Sequence, residues 1–141
     1  MFLGKYEYHI DEKGRVAIPP KFREELRGGF VLAQGLERCI AAYSLPEWRR
    51  ISESLAALPT TRSKARRMNR AMFSTAFDVE LDRMGRVALP LPLRQYAEIN
   101  DVVVIAGTNT LIELWSKENW EQEEAVMTEQ AWQISESTET Y

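Results

Sequence analysis

The chain contains the same short motif twice, and this repetition is the feature that most constrains its fold. Residues 11–19, DEKGRVAIP, recur 71 positions later as residues 82–90, DRMGRVALP. The similarity continues beyond each motif in the same order and, after one inserted residue, reaches Trp48 and Trp120. Matches in one order over such a length indicate a tandem duplication of one module.

Each copy of the module is predicted to begin with a strand and a tight turn. Apolar residues alternate with polar ones before each motif, as in a half-buried strand: Tyr6, Tyr8 and Ile10, then Phe77, Val79 and Leu81. The Asp-x-x-Gly sequence predicts a turn that closes a hairpin with the strand after it. Proline ends that second strand and suits the first turn of a helix, which predicts short helices over 20–26 and 92–99.

The rest of each copy is predicted to add a hairpin and a longer helix. Apolar runs at 30–34 and 102–106 are predicted buried strands, and segments 38–43 and 110–115 are their hairpin partners. Ser44 and Glu47 form a capping-box pattern, which predicts a helix. Its apolar face comprises Trp48, Ile51, Leu55 and Leu58, and the matching helix after Ser116 has Trp120 and Met127 on its apolar side. Residues 133–141 are polar and are expected to be frayed.

These elements predict an α+β fold that is mainly β. The expected organisation is a first module at 5–47, a helical connector at 48–75, a second module at 76–119, and a C-terminal helix with a polar tail at 120–141. A module of about 45 residues is too small to bury a stable core by itself. We therefore expect the two modules to pack as a pseudo-dimer within the chain, with intertwined strands and further assembly between chains.

Charge is unevenly distributed along the 141 residues. The net charge is −3, but residues 1–98 hold 17 of the 18 Lys and Arg and 12 of the 21 Asp and Glu. Local fields of this kind decide phosphate binding, and the net charge conceals them. No apolar run is long enough for a membrane span, no signal-peptide pattern begins the chain, and one cysteine fits a reducing compartment. A cytoplasmic location is expected.

Catalytic and metal-binding patterns are absent from the sequence. The single histidine, His9, is expected at a strand surface, and Cys39 is expected to be a small buried apolar residue. No clustered Cys and His or glycine-rich phosphate loop occurs. Neither a cofactor nor a small-molecule substrate is expected.

The arginine after each turn glycine is the candidate functional residue. Arg15 and Arg86 stand at the tips of the predicted turns, where a guanidinium can bind phosphate or guanine in bidentate fashion. Each arginine can instead close a turn with Asp11 or Asp82, and both roles are compatible because such a pair leaves donors free. Gly14 and Gly85 are expected to shape the turns.

Further cations surround these turns and favour a nucleic-acid ligand. They are Lys13, Lys21, Arg23, Arg83 and Arg94. The stretch 62–70 carries five more cations and no acid. It is predicted to be a helix with Ala65, Met68 and Met72 on an apolar side, and its cations are either a solvated face or extra phosphate contacts.

Together, these motifs resemble the MraZ family. The resemblance rests on the Met-Phe-x-Gly start, Leu-Pro-Glu-Trp at 45–48, the two Asp-x-x-Gly-Arg-Val motifs and Glu-Leu-Trp at 113–115, and it spans about residues 1–125. It implies two AbrB-like modules of the swapped-hairpin, β-barrel-like type. It also implies a nucleoid-associated regulator that binds direct repeats of double-stranded DNA before its own gene, at the head of a division and cell-wall gene cluster, and that assembles into rings.

The resemblance carries the family's DNA-contacting motif onto Asp11 with Arg15 and onto Asp82 with Arg86. Met84 and Pro92 stand where the first copy has Lys13 and Lys21, so the first turn is expected to carry more of the contact. The alternative function is a ring-forming protein scaffold in which the arginines are structural.

Overall fold

The structure, a computed structural model, describes residues 1–137 without the side chains of Trp132 and of residues 134–137. Eight strands and five α-helices follow one another within this range. The strands are β1 Phe2–His9, β2 Arg15–Ala17, β3 Phe30–Gln34, β4 Ile40–Ser44, β5 Phe77–Val79, β6 Arg86–Ala88, β7 Val102–Asn109 and β8 Ile112–Ser116. The helices are α1 Arg23–Leu26, α2 Leu45–Ala56, α3 Ser63–Phe73, α4 Leu91–Tyr96 and α5 Lys117–Ser137, and a 3₁₀ turn at Pro20–Phe22 precedes α1.

Six strands form one antiparallel sheet in the order β1-β7-β8-β4-β3-β5. The order is palindromic with respect to the repeat, since β1 of the first copy pairs with β7 of the second, and β5 of the second pairs with β3 of the first. The hairpins β3–β4 and β7–β8 meet at the centre through β4 and β8. The expected α+β fold, mainly sheet, with two intertwined modules is confirmed.

The predicted hairpin around each Asp-x-x-Gly turn is wrong. The strands before and after each turn do not pair with each other; β2 instead pairs with β6 of the other copy in a separate two-stranded ribbon. The turn itself forms, with the Gly14 N–H donating to Asp11 O and the Asp11 N–H donating to Arg15 O. The chain therefore reverses direction at the turn and then joins a different sheet.

The ribbon covers one face of the large sheet and closes the main core. Val16 and Val87 face each other across the ribbon and are both buried. They belong to a cluster with apolar residues of the inner sheet face and of the short helices, including Phe22, Leu32, Leu93, Ile105 and Ile112. Burial of so many large side chains supplies the main driving force for folding.

The longer helices pack on the opposite face of the sheet. Successive strand residues point to opposite faces, so Leu32 faces the ribbon while Ala33 faces the helices. Ala33 and Ala41 lie in a cluster with Met72 of α3, against which Trp48 and Leu55 pack. A third cluster places Trp120 of α5 against Trp115 and Val104. The molecule thus has three layers: ribbon with short helices, sheet, and longer helices.

The starts of α2 and α5 use the serine caps that the repeat predicts. Ser44 Oγ accepts from the Glu47 N–H at 3.4 Å, and Ser116 Oγ accepts from the Asn119 N–H at 3.1 Å. The reciprocal half of the capping box does not form, because the Glu47 carboxylate accepts from Arg50 instead. Each serine satisfies a backbone N–H that has no partner within the helix.

Several predicted helix faces need correction. Leu58 lies beyond the end of α2 and is exposed, and Met68 and Met127 are exposed as well, because no layer covers the outer side of α3 or the far part of α5. The segment expected to be frayed begins as helix, since α5 continues to Ser137. The remainder of that segment, residues 138–141, lies outside the described residues.

Candidate nucleic-acid interface

The outward face of the ribbon carries both candidate arginines. In the antiparallel register, Arg15 lies opposite Ala88 and Arg86 lies opposite Ala17. These four residues share one face because side chains alternate along a strand, and Val16 and Val87 take the buried face. The two arginines are therefore diagonal neighbours, with only two small alanines beside them on a surface open to solvent.

An aspartate of its own turn holds each arginine. Arg15 Nε donates to Asp11 Oδ2 at 2.8 Å, and Arg86 Nε donates to Asp82 Oδ2 at 2.9 Å. A second, longer ion pair crosses between the copies, with Arg86 Nη1 at 3.8 Å from Asp11 Oδ2. Within the described residues, no hydrogen bond engages the terminal Nη atoms of either arginine, so these donors are open to a ligand.

The same aspartates also hold the turn backbone. Asp11 Oδ1 accepts from the N–H groups of Lys13 and Arg15 at 2.9 and 2.8 Å. Asp82 Oδ1 accepts in the same way from Met84 and Arg86, at 2.9 Å each. These hydrogen bonds, led by the one from the arginine backbone, lower the pKa of both carboxyl groups. Both aspartates are consequently ionised near neutral pH and orient the guanidinium groups.

Each turn glycine accepts a hydrogen bond from the residue that follows the ribbon strand of the other copy. The Ile18 N–H donates to Gly85 O at 2.9 Å, and the Leu89 N–H donates to Gly14 O at 2.8 Å. Both glycines have φ of +77°, a conformation that other residues adopt at a cost. Backbone contacts between the copies therefore help to set the separation of the two turns and their arginines.

Arg23 and Arg94 reach across the copies and cover the turn glycines. Arg23 Nε donates to Ile18 O at 2.8 Å, and Arg94 Nε donates to Leu89 O at 3.0 Å. A Cβ on Gly14 would lie 3.0 Å from Arg94 Cζ, and one on Gly85 would meet the Arg23 guanidinium. Sequence reasoning missed this contact, although the repeat keeps both the glycine and the arginine in each copy.

The remaining predicted cations lie at different places. Lys13 and Arg83 are exposed within the two turns, next to the paired arginines. Lys21 is turned toward the sheet edge, with Nζ 5.5 Å from the centre of the Tyr6 ring. The ribbon thus gathers Arg15, Arg86, Lys13 and Arg83, while Lys21 stands apart on the side of β1.

The basic stretch at 62–70 lies on the far side of the molecule from the ribbon. It forms most of α3, which packs through Ala65 and Met72 toward the outer face of the sheet. A duplex bound at the ribbon would be separated from α3 by the whole sheet. This placement makes contact between the α3 cations and the same duplex unfavourable and leaves those cations free for a different role.

Two other side chains that the sequence singles out, Cys39 and His9, lie outside the ribbon. Cys39 is fully buried, as the sequence predicts, and burial raises the pKa of its thiol strongly. His9 is exposed on β1, with Nδ1 2.9 Å from Asp101 Oδ1. Among the side chains that the structure describes, no cluster of His, Cys, Asp and Glu has the geometry to hold a metal ion. No described helix has the length and apolar character of a membrane span.

Comparison with known proteins identifies relatives of both copies. Residues 1–71 and 72–139 each match the family model described as "MraZ protein, putative antitoxin-like". A protein named transcriptional regulator MraZ from Dehalococcoides mccartyi is 51% identical over 140 residues, which cover 99% of each chain. Proteins of the same name from Caldanaerobacter subterraneus and Herpetosiphon aurantiacus are 48% and 47% identical over 122 and 121 residues, covering 86% of this chain and 85% of theirs.

Proposed function

Because this chain belongs to the MraZ family, we propose that it is a DNA-binding regulator of transcription that acts through the outward face of its β2–β6 ribbon. Its full-length relatives carry the name of a transcriptional regulator. The regulator acts without catalysis or cofactor, in the cytoplasm and in association with the nucleoid.

The observation that carries this proposal is the pair of aspartate-held arginines on one exposed face. Each guanidinium uses Nε for its own aspartate and keeps its Nη atoms for a ligand. An arginine fixed in this way loses little freedom on binding, and its planar fork matches a phosphate or the O6 and N7 atoms of guanine. Arg15 and Arg86 are the proposed base or close phosphate contacts.

The surrounding cations supply contacts that do not depend on sequence. Lys13 and Arg83 lie beside the arginines and are proposed to bind backbone phosphates. Lys21 would reach a phosphate only at the β1 side of the interface. Arg23 and Arg94 are anchored through Nε to the carbonyls of Ile18 and Leu89, just after the ribbon strands, and their terminal nitrogens remain proposed phosphate contacts.

The two turns are proposed to contribute unequally. Arg86 is drawn toward Asp11 as well as Asp82 and is 26% exposed, against 32% for Arg15. Met84 also removes one cation that the first turn has in Lys13. Both differences favour the first turn as the stronger contact.

The finer proposal concerns the target and the assembly. The target is a set of short direct repeats in the promoter of the chain's own gene, ahead of the division and cell-wall gene cluster. A ring of identical chains would present several ribbons to successive repeats, which raises the effective concentration for each further contact. The pseudo-twofold ribbon suits a two-stranded ligand.

A footprint on the DNA upstream of the gene tests this function. Purified chain should protect short, regularly spaced repeats and leave a shuffled sequence of the same composition unprotected. Uniform weak protection of both DNAs at all protein concentrations would contradict a sequence-specific regulator.

A further inference from the structure

The outer face of the sheet carries two helical regions of opposite charge. Segment 45–73, which contains α2 and α3, has seven Lys and Arg against two Glu, and α5 has six Glu against one Lys. Among the described residues, the α3 cations form no ion pairs. The proposed ribbon interface uses neither region.

An open groove with a charged rim runs between α2 and α3. Its lining combines three apolar side chains, one amide and two cations: Leu55, Leu58, Ala65, Asn69, Arg66 and Arg70. Leu58 is 42% exposed, and Met68 on the neighbouring turn of α3 is 41% exposed. Apolar side chains left in water beside a groove mark a surface that can bury more area on association.

The far part of α5 extends beyond the layer that supports its start. Trp120 packs on Trp115, and Glu123 and Glu124 are half-buried, but every residue from 125 to 131 is exposed. Residues three, four and seven apart share a helix face, so Met127 continues the face of Trp120 and Val126 adjoins it. A helical segment without tertiary packing is marginal in water, and a partner that covers Val126 and Met127 would stabilise it.

We propose that the α5 segment 123–131 of one chain docks into the α2–α3 groove of a second chain. The apolar Val126 and Met127 fit the groove lined by Leu55, Leu58 and Ala65. Glu123 and Glu129 then face its cationic rim, while Glu124 stays paired with Lys5 of its own chain. Opposite charges on the two surfaces favour this pairing and disfavour groove against groove or α5 against α5.

This inference rests on the self-association proposed above and names its two surfaces. The donor segment and the acceptor groove are different surfaces, so each chain can join two neighbours head to tail. Contacts of this heterologous kind generate a ring where the rotation closes. Both surfaces lie on the helical side of the sheet, so the ribbon of every chain stays free for DNA.

Sedimentation of three full-length variants tests the docking. Val126→Glu with Met127→Glu damages the donor, Leu58→Glu damages the acceptor, and Leu36→Glu, on an exposed leucine of the β3–β4 loop, is the matched control. All altered side chains are exposed, so circular dichroism should show unchanged folding. The wild type and Leu36→Glu should sediment as assemblies, and the donor and acceptor variants as single chains of about 16.3 kDa.

Mixing the two damaged variants gives the most specific result. The donor variant keeps an intact groove and the acceptor variant keeps an intact α5, so an equimolar mixture should form one-to-one pairs and nothing larger. The proposal would be overturned if the mixture contained only single chains, or if either damaged variant alone formed assemblies like those of the wild type. It would also be overturned if Leu36→Glu lost assembly, or if the wild type itself sedimented as a single chain.

Binding to upstream DNA separates this inference from the proposed function. The single-chain variants should still bind a duplex with one protected repeat as the wild type does per chain, because Arg15 and Arg86 are unchanged. If the chains dock but no variant binds DNA, the proposed regulatory function is contradicted and the docking proposal stands. If the chains bind DNA but do not dock, the docking proposal is contradicted and the proposed function stands.

Discussion

At the scale of single residues, the aspartates of the two turns do more than neutralise the arginines beside them. One oxygen of Asp11 holds the turn backbone and the other holds Arg15 Nε. Asp82 does the same for the second turn. The structural and functional interpretations of these arginines are therefore compatible, since a guanidinium held at Nε still has four N–H donors for a ligand.

Glu113 is a half-buried acid whose ionisation should affect stability. It lies half-buried on β8 and accepts from Trp115 Nε1 at 3.1 Å. Burial raises its pKa, with Glu37 and Glu123 adding to the effect and the Trp115 hydrogen bond opposing it. Since this pKa is higher in the folded chain than its usual value of 4.5, the folded state loses stability as pH rises from about 4.5 through the folded pKa.

Glu113→Gln should therefore stabilise the fold at pH 7. The amide removes the buried charge, and its oxygen can still accept from Trp115. Urea unfolding at pH 4.5 and pH 7.5 should show a smaller fall in the free energy of unfolding for the variant than for the wild type. An equal fall in both proteins would show that Glu113 does not ionise at a cost.

At the scale of elements, the sequence predicted most strands and helices but not all of their partners. The turn at Asp11 has every local signal of a hairpin, and the turn forms. Pairing of β2 with β6 joins residues that are 69 to 73 positions apart, and no local pattern encodes such a contact. The serine caps were predictable because a cap depends on neighbours three residues away. The contact of Arg94 with Gly14 was not predictable, because it joins residues of different copies.

The contact between β1 and β7 depends on a glycine. Gly107 lies opposite Gly4, and a Cβ on Gly107 would be 2.6 Å from Leu3 N and from the Phe2 carbonyl carbon. Backbone atoms cannot move aside as the end of a side chain can, so the strands would have to separate locally. Gly107→Ala should cost about 1–3 kcal/mol in the free energy of unfolding, in the range of overpacked sites.

Thermal and urea unfolding of Gly107→Ala check this element directly. Because β1 joins the first copy to the second, the loss should appear in one cooperative transition of the whole described fold. A variant as stable as the wild type would mean that β1 does not pack as closely on β7 as this register requires.

At the scale of the whole molecule, the ribbon covers one face of the six-stranded sheet and the longer helices cover the other. The first half of the repeat supplies only half of each interface: β2 needs β6, and β1 needs β7. The uneven charge along the sequence corresponds to two charged regions in space. The basic α3 and the acidic α5 both lie on the face of the sheet away from the ribbon. Such a division would let the proposed DNA binding and the proposed chain assembly use separate surfaces.

Titration of upstream promoter DNA by fluorescence anisotropy tests directly whether the ribbon arginines bind DNA. Arg15→Ala and Arg86→Ala should each weaken binding by about 1–3 kcal/mol, with the larger loss for Arg15. Lys64→Ala with Arg67→Ala on α3, the control on the opposite face, should bind like the wild type. Binding should also weaken with salt, with a logarithmic slope of about −0.9 for each phosphate neutralised.

The double variant Arg15→Ala with Arg86→Ala gives the decisive comparison. If the ribbon binds DNA through these arginines, the double variant should fold and bind the promoter repeats no better than a shuffled duplex. Binding of the repeats by the folded double variant with wild-type affinity, at the same salt concentration, would contradict it.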